Sequence, residues 1–345
     1  MAYNSVKDTV HALWILQLLL LADTPALRLS RAEVELPAAR GTVGLDYLAA
    51  DRASGQVWIP AGQTGLVDVL DVATRTVGTV AGFAAAAPDQ TRDPSAVSLG
   101  EEVAFIGDRG TSQLCTVDKK QLAKLGCVSL AARPDGVQYV ATTREVRITT
   151  PRDRSVTVVD ARSPSRPKLA GRIVLPGSPE GYAVDDARGR FFTNLEDKNQ
   201  TVALDVRARR VVDTWKLPCG ERGPRGLALD RPRQFLFVAC TDKILVLDSA
   251  HRGRLLSMLQ TGAGVDNIDY LERTGNLYVA AGRAERLTVI HVDAKGALSV
   301  LATAPTAQGA RVVVVAGDGT AIVGDPHHGR VLMFSAVANA GAESP

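Results

Sequence analysis

Residues 224–248 read PRGLALDRPRQFLFVACTDKILVLD. Three runs rich in Leu, Val, Phe and Ile, at 227–230, 235–239 and 244–248, have strand length, and a fourth follows at 255–259. Short β-prone runs broken by turn residues predict a four-stranded antiparallel unit. Pro232 falls in the turn between the first two runs, where its missing N–H removes no ladder bond. Asp248, which ends the third run, suits an Asx turn with its carboxylate accepting backbone N–H groups.

The same unit recurs along the chain. Asp71, Asp118, Asp160, Asp205 and Asp248 each end a third run, and they stand 47, 42, 45 and 43 residues apart. A second marker opens the units, as in Pro134-Asp135-Gly136, Pro179-Glu180-Gly181 and Pro224-Arg225-Gly226, with Gly44, Ala96, Asn267 and Arg311 at the equivalent places. That makes seven units. A WD40-like period of roughly 40–45 residues with four short strands is the signature of a β-propeller. The sequence therefore predicts an all-β, seven-bladed β-propeller with four-stranded antiparallel blades. The seventh unit has only three runs, at 312–315, 321–323 and 331–334, and the missing outer strand is found at 29–36. An N-terminal strand would thus close the ring and leave no large exposed edge. Residues 81–93, rich in Ala and punctuated by Pro and Gly, read as a surface loop.

Composition narrows the class further. Aromatic residues make up only 5% of the 345, so the core must rest on Val, Leu, Ile and Ala. A formal net charge of +3 is too small to point to nucleic acid. Lys7 precedes an apolar run at 13–22, too short to span a bilayer but suited to the h-region of a secretory signal peptide. We expect residues 1–26 to be that signal, cleaved after Ala26, and residues 27–345 to form one propeller domain without a transmembrane segment.

Several stretches carry a family resemblance. Leu217-Pro218-Cys219, the 224–240 stretch, Gly264-Val265-Asp266-Asn267, Leu287-Thr288-Val289-Ile290-His291 and Gly309-Ala310-Arg311 resemble the secreted bacterial YncE-like (YVTN-repeat) propellers. Asp46-Tyr47 and Asn194-Leu195-Glu196-Asp197 match earlier positions, so the likeness covers residues 28 to 336. It implies a propeller fold and export to the periplasm or cell exterior. It implies little about activity, because a fold hosts many functions.

Of the four cysteines, Cys219 lies in the crossover before the fifth blade and Cys240 ends that blade's second strand. Those two places share a face, so a Cys219–Cys240 disulfide is expected, closing a loop worth roughly 3 kcal/mol. Cys115 and Cys127 oppose each other across a hairpin, where direct bridges are demanding, and are expected as buried free thiols.

Side chains that open the inner strands converge on the channel mouth. That places Asp46, Tyr47, Asp135, Glu180, Asp266 and Asn267 there, opposed by Arg225 and Arg311, with Arg109, Asn194, Glu196 and Asp197 added by loops between second and third strands. Such a mouth suits a small ligand or a protein partner. Alternatively, Glu180, Asp46 and Asp266 could hold a divalent cation such as Ca²⁺. The metal would then polarise a carbonyl, giving a lactonase, another hydrolase or a lyase. The ordered motifs of gluconolactonase-type propellers are not matched. His327 and His328 read as solvated loop residues, and His291 as packed against a neighbour. Arg144, Arg147, Arg152, Arg154, Arg162, Arg166, Lys168 and Arg172 read as a solvated edge of the third blade; only Tyr139 offers an aromatic ring nearby, too little for stacking nucleic-acid bases. No phosphate loop, serine nucleophile elbow or haem attachment motif is present. The expected function is a non-enzymatic, monomeric binding scaffold, with a DNA-associated propeller as the weaker alternative.

Overall fold

A computed structural model of the chain describes residues 27–85, 93–220 and 223–337. The expected signal peptide, and residues 86–92 of the expected loop, lie outside them. Among the described residues the strands form seven four-stranded antiparallel sheets, each a blade. Blade five runs Pro224–Asp230, Phe235–Cys240, Lys243–Asp248 and Arg254–Gln260 from the inside outwards.

The burial of each strand follows from its place in the blade. Second and third strands are covered on both faces by neighbouring blades, so Phe235–Cys240 is buried at every position. Outer strands meet solvent on one side and alternate instead, as in Arg210–Lys216 of blade four, where Trp215 turns inward. Apolar side chains gather between blades rather than around one centre. Trp58, Val67 and Val69 of blade one, for example, pack on Val97, Ile106 and Val117 of blade two. Each junction around the ring has its own such cluster, including the one between blades seven and one.

That last junction depends on both ends of the chain. Arg28–Glu35 pairs antiparallel with Arg330–Val337, from Arg28 opposite Val337 to Glu35 opposite Arg330, and becomes the outer strand of blade seven. The recurring aspartates act as turn caps. Asp118 Oδ1 accepts from the N–H groups of Lys120 and Gln121 at 2.9 and 2.7 Å, and Asp205 Oδ1 from Arg207 and Ala208 at 3.0 and 2.8 Å. Asp71, Asp160 and Asp248 do the same.

Cys219 and Cys240 are bonded, with Cα atoms 5.1 Å apart. Cys115 and Cys127 are bonded as well, which corrects the expectation of free thiols. They are directly opposed partners on the third and outer strands of blade two, with Cα atoms 4.1 Å apart. The close side-chain pairs of an antiparallel ladder bring opposed residues within disulfide reach. The basic run of blade three is exposed as expected, except at Arg147. Arg147 is only 1% exposed, donating to Glu145 Oε2 at 2.7 Å and to the Val206 carbonyl of blade four at 2.8 Å. Arg154, Arg162 and Arg172 pair with Asp197, Asp160 and Asp153. With Arg147, four of the eight basic residues are thus paired among the described residues.

Candidate functional site

The marker that opens the inner strands has a steric explanation. Neighbouring blades approach so closely there that a Cβ on Gly136 would lie 2.0 Å from the Tyr182 ring, and one on Gly181 would lie 2.2 Å from the Arg225 carbonyl oxygen. Only glycine fits there. Register shifts follow at once, between Glu180 and Tyr182 and between Pro224 and Leu227. Bulges of this kind re-aim a side chain at a sheet's end. Glu180 and Arg225 are delivered to the mouth in this way, whereas Asp135 precedes its inner strand, Val137–Val140, whose pairing runs without a shift.

The mouth is a cavity of about 560 Å³ that receives a side chain from every blade: Asp46 from the first, then Arg109, Asp135, Glu180, Arg225, Asp266 and Arg311 in ring order. Arg109 bridges two carboxylates, reaching Asp46 at 3.0 Å and Asp135 at 2.5 Å. Arg311 Nε lies 3.1 Å from Asp266. Arg225 pairs with Glu196 at 2.5 Å. Glu180 has neither a hydrogen bond nor an ion pair at its carboxyl group among the described residues; only its backbone oxygen accepts, from the Thr193 hydroxyl at 2.7 Å.

Crowded carboxyl groups cannot all ionise at neutral pH. Burial, with Asp135, Asp266 and Asp46 nearby, pushes Glu180 well above the usual carboxylate range. Burial and Asp46 raise Asp135 to about 7 against the pull of Arg109. Asp266 is raised by burial although Arg311 opposes the shift. Burial works against the charge of Arg109, but Asp46 and Asp135 outweigh it and hold the guanidinium ionised.

Other expected site residues fall elsewhere. Tyr47 and Asn267 wall a second chamber of about 310 Å³ along the channel, which shares Asp46 with the mouth. Tyr47 stacks on Tyr182 with ring centroids 5.2 Å apart, and its hydroxyl lies 3.5 Å from Asp135. Asn194 is fully buried; its amide donates to the Arg225 carbonyl at 2.5 Å and its oxygen accepts from the Thr201 hydroxyl at 2.6 Å. It positions Arg225. Glu196 also touches the Ser178 hydroxyl, and Asp197 accepts the Ser178 N–H at 2.7 Å. Among the described residues, no three His, Cys, Asp or Glu side chains come close enough together to hold a metal ion.

Sequence reasoning missed Thr241, Arg283, Gln308 and His327, all of which line the mouth. A signal was present for three of them. Thr241, Arg283 and His327 follow their second strands by one or two residues, the place that Arg109 holds in blade two. His328, by contrast, bonds to the buried carboxylate of Asp325 at 2.9 Å.

Fold and site together define a seven-bladed β-propeller with a charge-lined channel mouth. No protein-family model matches the chain, and no curated protein matches it in sequence. Among solved structures it is similar to a chain of hydrazine synthase from Kuenenia stuttgartiensis, with 12% identity and a TM-score of 0.73 over 88% of this chain and 98% of that one. Streptogramin B lyase shares 12% identity at a TM-score of 0.70 over 90% and 98%. The β-propeller domain of Myceliophteria thermophila Cps50 (Swd1) shares 11% at 0.70 over 89% and 99%. At these identities the likeness is one of fold.

Proposed function

We propose that the chain is an exported, non-enzymatic propeller of the YncE-like kind that takes a small polar ligand, or the charged tip of a protein partner, into its channel mouth. The observation that carries this is the cavity of about 560 Å³ in which all seven blades set carboxylates against guanidinium groups. Its size suits a small-molecule site. Two disulfides favour an oxidising compartment, as does the family resemblance. We read the divalent cation as foreign to the site, because Asp46 and Asp135 are already committed to Arg109, and Asp266 to Arg311. The basic run of blade three, half of it paired with carboxylates and with one aromatic ring nearby, likewise gives little support to DNA association. A hydrolase or lyase is the second reading, favoured by Glu180, whose carboxyl is pushed by burial and neighbouring carboxyl groups in the direction a general acid needs.

A thermal-shift screen of small polar compounds tests the main reading. A compound bound to the native state at a hundred times its Kd adds roughly 2.7 kcal/mol of stability. The expected result is stabilisation of the wild type that falls away in Glu180→Gln, with the compound recovered unchanged. Equal stabilisation of wild type, Glu180→Gln and Arg311→Lys would place the ligand elsewhere, and turnover of the compound would favour the enzyme.

A further inference from the structure

Resting on the reading of the mouth as the binding site, we infer that its ligand is a small zwitterion, with an ammonium group seated at Glu180 and a carboxylate held by Arg311 and Arg283. The division of charge across the ring carries the inference. Glu180 of blade four lies with Asp135 of blade three on one side of the cavity, between Arg109 and Arg225 and beside an adjoining pocket that Arg133 and Arg152 also line. Of the four carboxylates lining it, Glu180 is the one that no protein group pairs among the described residues. Facing it across the seven-fold ring, blades six and seven supply Arg283, Arg311 and His327. Among the described residues Arg311 commits only Nε, to Asp266, which leaves its two terminal nitrogens to donate, and Arg283 forms no ion pair.

Neither charge alone satisfies this arrangement. A simple cation would answer Glu180 and meet the guanidinium groups opposite. A simple anion would pair with Arg311 and Arg283 and leave Glu180 without a partner. A zwitterion meets both sides and adds no net charge. Guanidinium forks also match a carboxylate's geometry and strengthen the bond.

The same geometry predicts proton release. In the free mouth, burial and the neighbouring Asp135, Asp266, Asp46 and Glu196 push the Glu180 carboxyl well above the usual carboxylate range, while Arg109, Arg225, Arg283 and Arg311, with Arg133 and Arg152 of the adjoining pocket, face it as cations. An ammonium beside Glu180 favours the carboxylate, so the carboxyl O–H bond breaks and its proton passes to the buffer.

The test is calorimetry on the full chain at pH 7, in two buffers of different ionisation enthalpy. The probes are L-alanine, β-alanine and γ-aminobutyrate, with butyrate and butylamine as single-charge controls. We expect at least one zwitterion to bind tenfold or more tightly than either control and to release close to one proton. Glu180→Gln should weaken that binding about tenfold and abolish the release. Arg283→Ala, at an exposed position whose loss the fold tolerates, should weaken it severalfold and leave the release intact. Butyrate binding as well as the zwitterions, and lost in Arg283→Ala, would overturn the ammonium seat but keep the mouth as the site. Absence of zwitterion binding would overturn the ligand class. Zwitterion binding indifferent to both substitutions would overturn the ligand assignment and the mouth reading together.

Discussion

Arg109→Ala removes the one cation that separates Asp46 from Asp135. Breaking a buried ion pair by deleting a partner costs about 3–5 kcal/mol, and an exposed pair about 0–1. The side chains of Arg109, Asp46 and Asp135 keep 18%, 22% and 18% of their exposure, so the pair lies between those limits. Arg109 also donates to the Pro134 carbonyl at 3.3 Å, a bond that alanine cannot replace. A cost of about 2–3 kcal/mol at pH 8 follows. With an unfolding entropy of roughly 2.1 cal/mol/K per residue over some 300 residues, Tm should fall by about 3–5 °C. The loss should shrink with acidity. Asp135 titrates near 7 with Arg109 in place, and losing the cation raises it further, so at pH 5 it is protonated and the repulsion is gone. Calorimetric Tm values for wild type and variant at pH 8 and pH 5 measure both effects. An unchanged Tm at pH 8, or a larger loss at pH 5 than at pH 8, would refute the account of the mouth as a set of carboxylates balanced by arginine.

Asp68 of blade one is fully buried, neither of its oxygens has a partner among the described residues, and burial raises it to about 7. The folded chain thus keeps a proton that the unfolded chain releases between about pH 4 and pH 7, and stability should fall by roughly 4 kcal/mol as pH rises through that window. Urea unfolding at pH 5 and pH 8 should show the part of that decline lying above pH 5, about 2.7 kcal/mol, in the wild type and much less of it in Asp68→Asn. Removing residues 1–26 should leave folding and Tm unchanged. Removing residues 1–37 deletes the Arg28–Glu35 strand and should lower Tm by many degrees, since it strips the register with Arg330–Val337 and exposes the edge of blade seven. Equal melting of the two truncations would count against closure of the ring by that strand.

The fold was legible because a propeller repeats its local rules. The Asp after each third strand marks a turn that must be capped, and the Gly after Asp135, Glu180 and Arg225 marks where blades touch; both survive in a single sequence. The site was legible in part for the same reason, since a side chain just before such a glycine has only the channel to enter. Arg283 and His327 were harder to see because their blades lack the Pro-x-Gly marker, so only their positions after the second strand place them. Asn194 looked like a mouth residue by position, but its amide is consumed by the Arg225 carbonyl and the Thr201 hydroxyl. Which residues pair with one another depends on contacts between blades, and spacing along the chain does not encode those. Cys115 and Cys127 show the limit from the other side: their opposition across the hairpin was readable, whereas the 4.1 Å approach needed the register.

Hydrogen exchange with the most stabilising compound of the polar-ligand screen bound tests the central claim most directly. A ligand in the mouth touches segments far apart in sequence, so protection should rise together around Asp46, Asp135, Glu180, Asp266 and Arg311, with outer strands such as Lys168–Val174 unchanged. Protection confined to outer strands or to one blade, with those five segments unaltered, would contradict the assignment of the channel mouth as the binding site.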